Sequence, residues 1–216
     1  MLQLPFAHLN LTRNPFGEFS AEERGELAVV ELKCFFPLLN TPGFALQILG
    51  EQGRGKSTHL HAIKKHFPGA PYIYYPEDGP KPEVPRAPVL FLDEMQRFSK
   101  RERLQIFSRS ASFVVASHRN HDNEFHKTKL DSHSITLRGM DTDRLRQILE
   151  KRLESCRRSE GTIPYFEEAS LTALIRRFGD DLRSMEEYLY HLFQNLNAPT
   201  SIKISGTRKG DYAQQL

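Results

Sequence analysis

The chain contains 216 residues, of which 38% are hydrophobic and 26% are charged, and its formal net charge at pH 7 is +3. This composition is typical of a globular protein with one domain or two small ones. Its two cysteines, Cys34 and Cys156, belong to no C-x-x-C or Cys/His grouping, which argues against a disulfide framework or a structural zinc site. No stretch approaches the roughly 18 apolar residues of a membrane helix, and the amino terminus lacks a signal-peptide pattern. We therefore expect a cytoplasmic protein without a membrane partner.

The charge is unevenly distributed along the chain. Residues 1–96 carry 9 Lys and Arg against 11 Asp and Glu, whereas residues 97–216 carry 21 against 16. A basic second half is compatible with nucleic-acid binding, but it is equally compatible with solvated helix faces.

The elements in chain order indicate an α/β domain followed by helices. Ser20 and Glu23 form a Ser-x-x-Glu capping box that predicts a helix over 20–36. Short apolar runs then alternate with helical patterns, which is typical of strands buried on both faces of a parallel sheet. The predicted strands are 44–49, 72–75, 89–92, 112–117 and 134–137. The five prolines between residues 76 and 88 predict a loop in place of a crossover helix.

From Met140 onward the pattern changes to three amphipathic helices, and residues 198–216 are polar and aperiodic. The sequence therefore predicts an α/β domain with its N-terminal helical segment over 1–139, a three-helix domain over 140–197, and a flexible tail over 198–216.

The strongest motif is GEQGRGKST, which matches the phosphate-binding pattern G-x-x-x-x-G-K-[ST] and follows a predicted strand. Its glycines allow successive backbone N–H groups to face phosphate oxygens, and the helix that follows adds its positive dipole end. We expect Lys56 to reach the β- and γ-phosphates of ATP and the Ser57 hydroxyl to bind Mg²⁺. The predicted nucleotide-binding residues are Gly50, Glu51, Gln52, Gly53, Arg54, Gly55, Lys56, Ser57 and Thr58.

A second motif, VLFLDE, places two acids after the strand that begins at Val89. The carboxyl ends of parallel strands meet at one edge of a sheet, so these acids should lie beside the phosphate loop. Asp93 would then hold the Mg²⁺ shell, and Glu94 would act as the general base that activates water.

With both motifs in view, residues 44–196 resemble the AAA+ family of P-loop ATPases. The resemblance implies a three-layer α/β sandwich with a mostly parallel five-stranded sheet, followed by a small C-terminal helical lid. It implies that His118 is the sensor 1 residue, where Asn or Thr is more usual, and that Arg183 is sensor 2. Both would act in catalysis beside Lys56 and Glu94. The family also assembles into oligomers in which a neighbour supplies an arginine finger, but residues 118–133 contain no clear motif for one.

The role of each of two further segments has two possible interpretations. Asn14-Pro15-Phe16 resembles N-terminal segments that lie against adenine in some relatives, but Phe16 could equally be a core residue. The basic stretch Arg97 to Arg109 could contact DNA phosphates or form an ordinary solvated helix face.

The expected function is Mg²⁺-dependent ATP binding and hydrolysis, with nucleotide-dependent movement of the lid. The expected partners are ATP, DNA or a DNA-bound protein, and further copies of the chain. A nucleotide-gated switch or scaffold with little turnover is the main alternative, and a small-molecule kinase is a third. Phosphate release distinguishes the ATPase from both.

Overall fold

The computed structural model describes residues 5–30 and 32–204. The described residues divide into two compact units. The α/β unit covers residues 20–137, and the C-terminal unit combines residues 5–19 with residues 138–204. Within the described residues, no helix is both long and apolar enough to cross a membrane.

A five-stranded sheet forms the centre of the α/β unit. Its order is β2-β3-β4-β1-β5, and all neighbouring strands are parallel, which confirms the predicted α/β sheet. The strands are β1 (Phe44–Leu49), β2 (Tyr72–Tyr74), β3 (Val89–Asp93), β4 (Ser112–Ser117) and β5 (Asp131–Thr136). In this order β4 lies between β1 and β3, so the turn after β4 separates the turns after the other two strands.

The last strand begins earlier than the sequence indicates. β5 starts at Asp131 instead of residue 134, and Asp131, Ser132 and His133 pair in parallel with Phe44, Ala45 and Leu46. Because β5 lies at the edge of the sheet, its first three side chains are exposed and polar. A search for apolar runs therefore misses them.

Helices cover both faces of the sheet. The helices of this unit are α1 (Ala21–Leu27), α2 (Phe36–Leu39), α3 (Lys56–Lys64), α4 (Lys100–Phe107) and α5 (Asp122–Lys127). Successive residues of β3 alternate between two cores: Leu90 packs in the cluster that contains Phe107 and Phe125, and Phe91 packs in the cluster that contains Leu60. The result is the expected three-layer sandwich.

One local prediction needs correction, and another is confirmed. The capping box at Ser20 and Glu23 is present, but the helix ends at Leu27 and is not continuous to residue 36. The segment at 76–88 is the predicted loop, with no helix or strand. Arg109 donates hydrogen bonds to the carbonyls of Val84 and Pro85, so side-chain contacts hold part of this loop against the unit.

In its described residues, the C-terminal unit contains three α-helices: α6 (Thr142–Ser155), α7 (Glu168–Phe178) and α8 (Leu182–Gln194). Their apolar faces form the core of the unit, as the helical spacing indicates. The most buried side chains on the three helices are those of Leu145, Leu149, Leu171, Leu174, Met185, Leu189 and Phe193.

Described residues near both ends of the chain also pack in this unit, which differs from the predicted domain boundaries. Thr12 donates its backbone N–H to Cys156 over 2.8 Å, so the segment 5–19 packs with the helices and does not belong to a domain over 1–139. Two short strands, β6 (Tyr165–Phe166) and β7 (Ser201–Ile202), pair in parallel. Ile202 is buried, so the expected tail does not begin at residue 198. Residues 205–216 of that predicted tail lie outside the described residues.

Candidate nucleotide-binding and catalytic site

The phosphate loop connects β1 to α3 and takes the backbone conformation that its glycines permit. Gly53 and Gly55 have φ angles of +82° and +81°, in the left-handed region that costs other residues free energy. Gly55 is the N-cap of α3, which begins at Lys56. The first backbone N–H groups and the positive dipole end of a nine-residue helix therefore lie at this turn. Such a helix end favours anionic groups such as phosphates.

Lys56 is directed into the site and is almost completely buried, with 5% of its surface exposed. Its Nζ atom donates a hydrogen bond to the Glu51 carbonyl over 3.0 Å and lies 3.3 Å from Nε2 of His118. Glu51 and Gln52 are exposed at the outer rim of the loop. The ammonium group thus lies between the loop and the end of β4.

Arg54 and Thr58 complete the predicted set of loop residues. The guanidinium of Arg54 donates a hydrogen bond to the Leu137 carbonyl over 3.3 Å, so this side chain reaches the segment after β5. Thr58 is partly buried in the first turn of α3. The Arg54 side chain therefore holds the loop from one flank, and a role in contacting nucleotide stays a prediction for both residues.

Ser57 and Asp93 meet at the carboxyl edge of the sheet. The Ser57 hydroxyl donates to Oδ2 of Asp93 over 2.7 Å, and Asp93 is 1% exposed. The Tyr72 hydroxyl donates to the same oxygen over 2.5 Å. Burial and the neighbouring Asp93 charge raise the pKa of Tyr72, so its hydroxyl stays protonated and remains a donor. The residues predicted to bind Mg²⁺ therefore form one hydrogen-bonded group.

This group has the chemistry of a magnesium site. Mg²⁺ prefers oxygen ligands and is commonly held by one or two protein oxygens together with phosphates and water. Ser57 and Asp93 supply a hydroxyl and a carboxylate oxygen 2.7 Å apart, next to a helix end that favours phosphates. The residues present therefore fit both a nucleotide phosphate and its metal ion.

Glu94, the predicted general base, has a backbone conformation that glutamate adopts only at a cost. Its φ angle is +61°. Oε2 of its carboxylate accepts a hydrogen bond from the Gln96 amide over 2.6 Å and lies 3.4 Å from Nε of Arg97. The same oxygen is 3.8 Å from Nε2 of His118. The Glu94 carboxylate thus lies among nitrogen atoms from the segment after β3 and from the segment after β4.

His118, the predicted sensor 1 residue, lies between the phosphate-loop lysine and the predicted base. Nε2 of this imidazole is the atom that approaches both Lys56 and Glu94, at 3.3 Å and 3.8 Å. This position follows from the strand order, because β4 lies between β1 and β3. Lys56, Ser57, Asp93, Glu94 and His118 are therefore all brought together at one edge of the α/β unit.

Arg183, the predicted sensor 2 residue, belongs to the C-terminal unit. It is the second residue of α8, whose first turn is capped by the Asp181 carboxylate accepting from the Ser184 N–H over 3.1 Å. Met185 and Leu189 bury one face of the helix, whereas Arg183 is exposed. Its guanidinium forms no ion pair with any described residue. Its predicted sensor 2 role stays a prediction.

The predicted basic surface on 97–109 is smaller in the fold than in the sequence. Three of its arginines are engaged within the unit: Arg97 pairs with Glu94 and Glu77, Arg103 pairs with Glu124, and Arg109 binds loop carbonyls. Lys100 and Arg101 remain exposed on α4. A run of basic residues in the sequence gives the number of positive charges, but it does not show which of them are paired in the fold.

The Asn14-Pro15-Phe16 segment is part of a core. Phe16 is 5% exposed, and its ring meets that of Phe193 edge to face with centroids 5.0 Å apart. The Asn14 amide donates to the Tyr190 carbonyl over 3.0 Å. Of the two interpretations of Phe16, the structure bears out the core position.

Two residues of the site were not identified from the sequence. Tyr72 lies in β2 and looked like one more strand aromatic, and Gln96 looked like an ordinary residue after the acidic pair. Gln96 is close enough in sequence to Asp93 and Glu94 for its side chain to contact them. The sequence pattern at this position is, however, the same as that of a glutamine exposed on the surface. The sheet order brings both side chains to the acids.

The parallel five-stranded sheet with helices on both faces, and the glycine-rich loop between β1 and α3, match a P-loop NTPase fold. No family model matches the chain, and no curated protein matches it. Among solved structures, the chain is similar to the Thermotoga maritima RuvB Holliday junction branch migration motor, with a TM-score of 0.53 and 18% sequence identity. The similarity covers 85% of this chain and 65% of that chain. It is a likeness of fold, and a shared fold does not carry residue roles with it.

Proposed function

We propose that the chain is a Mg²⁺-dependent ATPase of the AAA+ type. The observation that carries this proposal is the meeting of Lys56, the Ser57–Asp93 pair and Glu94 at one edge of the sheet, next to a helix N-terminus. These are the groups that phosphoryl transfer to water requires: a cradle for phosphate, a metal site and a base.

Each group has a separate task in nucleotide binding. The loop N–H groups and Lys56 bind the phosphates, with the ammonium directed at the terminal ones. Ser57 and Asp93 hold Mg²⁺, which when bound supplies positive charge to the phosphate oxygens. Tyr72 donates to Asp93 and holds that carboxylate in orientation.

Glu94 is the catalytic base in this proposal. Its carboxylate takes a proton from the attacking water, and the water oxygen forms a bond to the γ-phosphorus as the bond to the β-phosphate oxygen breaks. The products are ADP and inorganic phosphate. His118 lies beside both Lys56 and Glu94, where its imidazole can hydrogen-bond the water or the terminal phosphate.

The helices of the C-terminal unit act as the lid in this proposal. Arg183 is exposed in the first turn of α8, and in this proposal its guanidinium binds a phosphate oxygen of ATP. A contact present with ATP and absent with ADP would make the lid position depend on the nucleotide.

The test compares ATP binding and phosphate release in the wild-type chain and two variants. Lys56→Ala should lose ATP binding, whereas Glu94→Gln should retain it and lose turnover by roughly a hundredfold or more. Lys65→Ala and Glu83→Gln are matched controls, because both side chains are exposed and lie outside the two motifs. Full turnover by Glu94→Gln would remove Glu94 as the base.

The same assay separates the alternatives. ATP binding without phosphate release by the wild-type chain would identify a nucleotide-gated switch. ADP formation without free phosphate, dependent on a small-molecule acceptor, would identify a kinase. Either result would overturn the ATPase proposal.

We also propose a DNA-associated role and self-association for this ATPase. The fold is similar to that of a motor named for Holliday junction branch migration, and Lys100 and Arg101 are exposed on α4. DNA should stimulate turnover at low salt, and Lys100→Ala with Arg101→Ala should remove the stimulation. A rate per chain that rises with protein concentration would support assembly. No salt-sensitive binding at low ionic strength would overturn the DNA role.

A further inference from the structure

Gln96 connects the predicted base to the end of the neighbouring strand. Its amide nitrogen donates to Oε2 of Glu94 over 2.6 Å. Its amide oxygen accepts hydrogen bonds from the Ser117 hydroxyl over 3.1 Å and from the His118 N–H over 3.2 Å. One side chain therefore contacts the predicted base, the predicted sensor residue His118 and its neighbour Ser117.

The partners of Gln96 determine which way its amide faces. The His118 backbone N–H can only donate, and of the two groups in the Gln96 amide only the oxygen can accept from it. The amide nitrogen is then directed at Glu94, where a carboxylate is the matching acceptor. Reversing the amide would place its oxygen against the Glu94 carboxylate and its nitrogen against the His118 N–H, so both of these hydrogen bonds would be lost.

A buried polar chain supports Ser117 from behind. Its hydroxyl lies 2.8 Å from Nε2 of His121, and the backbone N–H of His121 donates to Gln47 over 2.8 Å. Glu124 follows on the same helix and pairs with Arg103 over 2.8 Å. Side chains in a connected buried network have little freedom to reorient. The end of β4 is therefore a rigid support for the amide oxygen of Gln96.

The carboxylate of Glu94 needs such a support. A glutamate side chain has several rotatable bonds, and this one stands on a backbone with φ of +61° at the end of a strand. Arg97 lies 3.4 Å from the same oxygen and also pairs with Glu77, which is exposed. The shortest contact of the carboxylate is the one from Gln96.

We propose that Gln96 is a positioning residue for the catalytic base: it holds the Glu94 carboxylate in register with the end of β4. The inference rests on the proposed ATPase function and adds a residue to it. Gln96 acts through Glu94 and through no contact of its own with the nucleotide. If the His118 backbone is displaced, the hydrogen bonds of the Gln96 amide displace the Glu94 carboxylate with it.

Two substitutions test whether Gln96 positions the base for catalysis or only stabilises the fold. Gln96→Met has a similar volume and removes every hydrogen bond. Gln96→Glu keeps an acceptor for Ser117 and the His118 N–H, but it loses the donor and places a carboxylate against Glu94. Both should lower the single-turnover rate of bound ATP by about ten- to a hundredfold, the loss typical of outer-shell partners, with ATP affinity within about twofold of wild type. Gln105→Met, at an exposed glutamine of α4, is the matched control.

A double-mutant comparison checks that Gln96 acts through Glu94. In the Glu94→Gln background, Gln96→Met should cause no further fall in rate, because its target has been removed. A second full decrease there would overturn the inference, as would wild-type rates in Gln96→Glu with wild-type melting behaviour. Either outcome leaves the ATPase proposal intact. No phosphate release by the wild-type chain would instead overturn the proposed function and this inference with it.

Discussion

The Ser57 hydroxyl donates a 2.7 Å hydrogen bond to Oδ2 of Asp93, a residue 36 positions away in the sequence. The strands that lead to these two residues, β1 and β3, are not neighbours, because β4 lies between them. With adjacent strands about 4.8 Å apart, the first turn of α3 must reach across the end of β4 to meet Asp93. The contact therefore depends on the strand order as well as on the two motifs.

Tyr72 donates a hydrogen bond to the same Asp93 carboxylate, and this contact gives a first prediction. Tyr72→Phe removes the 2.5 Å hydrogen bond to Asp93, and a hydrogen bond to a charged group contributes about 1.5–3 kcal/mol. We expect the free energy of unfolding to fall by about that amount and the Mg²⁺ concentration for half-maximal turnover to rise roughly tenfold. Denaturant unfolding and a Mg²⁺ titration measure the two effects. Tyr165→Phe, at a half-exposed tyrosine, should change neither; equal behaviour of the two variants would contradict the prediction.

His121 gives a pH-dependent prediction. Burial, aided by the nearby Arg103 and Arg119, lowers the pKa of His121 to about 4, against the opposing influence of Glu124 and Asp122. The unfolded chain therefore binds more protons than the folded chain between about pH 4 and 6.5. The stability that the neutral imidazole contributes is complete above this window and is lost as the pH falls through it.

The measurement compares denaturant unfolding at pH 7 and pH 4.5. Residue His121 should account for a loss of about 2 kcal/mol over this range, and His121→Gln should remove that part of the pH dependence. His126→Gln is the control, because His126 is exposed on α5, the helix that His121 immediately precedes. An unchanged pH dependence in His121→Gln would show that other groups cause it.

Arg183 can be tested without disturbing the core of its unit. The side chain is exposed, so Arg183→Ala should change the unfolding free energy by less than about 0.5 kcal/mol. If it binds the terminal phosphate, turnover should fall at least tenfold, because a guanidinium–phosphate contact is a strong charge-assisted one. Steady-state phosphate release provides the measurement, and Arg158→Ala, also exposed in this unit, provides the comparison. Turnover equal to that of Arg158→Ala would exclude a sensor role.

Phe16 gives a prediction that separates a core residue from a nucleotide contact. Its ring is buried against Phe193, so Phe16→Ala should reduce the unfolding free energy of the C-terminal unit by about 3–5 kcal/mol. ATP affinity of the folded fraction should stay within about twofold of wild type. Thermal melting and nucleotide titration check both, with Leu38→Ala at an exposed position as the control. A loss of ATP affinity at wild-type stability would favour the adenine interpretation.

Local features of the chain were predictable because the residues that cause them are adjacent. Gly53, Gly55 and Lys56 lie within four positions, and the need for left-handed backbone followed by a helix start is met by those residues alone. The apolar runs that became β3 and β4 needed only their own composition to be identified. The helical faces that bury Leu145 and Leu189 followed in the same way from a period of 3.6 residues.

Partners that are distant in the chain were not predictable in this way. No local pattern assigns the segment 5–19 to the C-terminal helices, because the hydrogen bond from Thr12 to Cys156 joins residues 144 positions apart. No local pattern pairs Arg103 with Glu124, and that pair removes a charge from the basic surface that the sequence predicts.

Gln96 is the clearest case of a role that depends on the fold. Its own sequence context is an acidic pair followed by a short helical turn, but its function depends on Ser117, which reaches it only because β3 and β4 are neighbours. Residue types and their spacing along the chain specify the phosphate loop and the acids. The packing of the strands decides which side chains share the edge where those acids lie, because that arrangement is set by burial of both faces of the whole sheet.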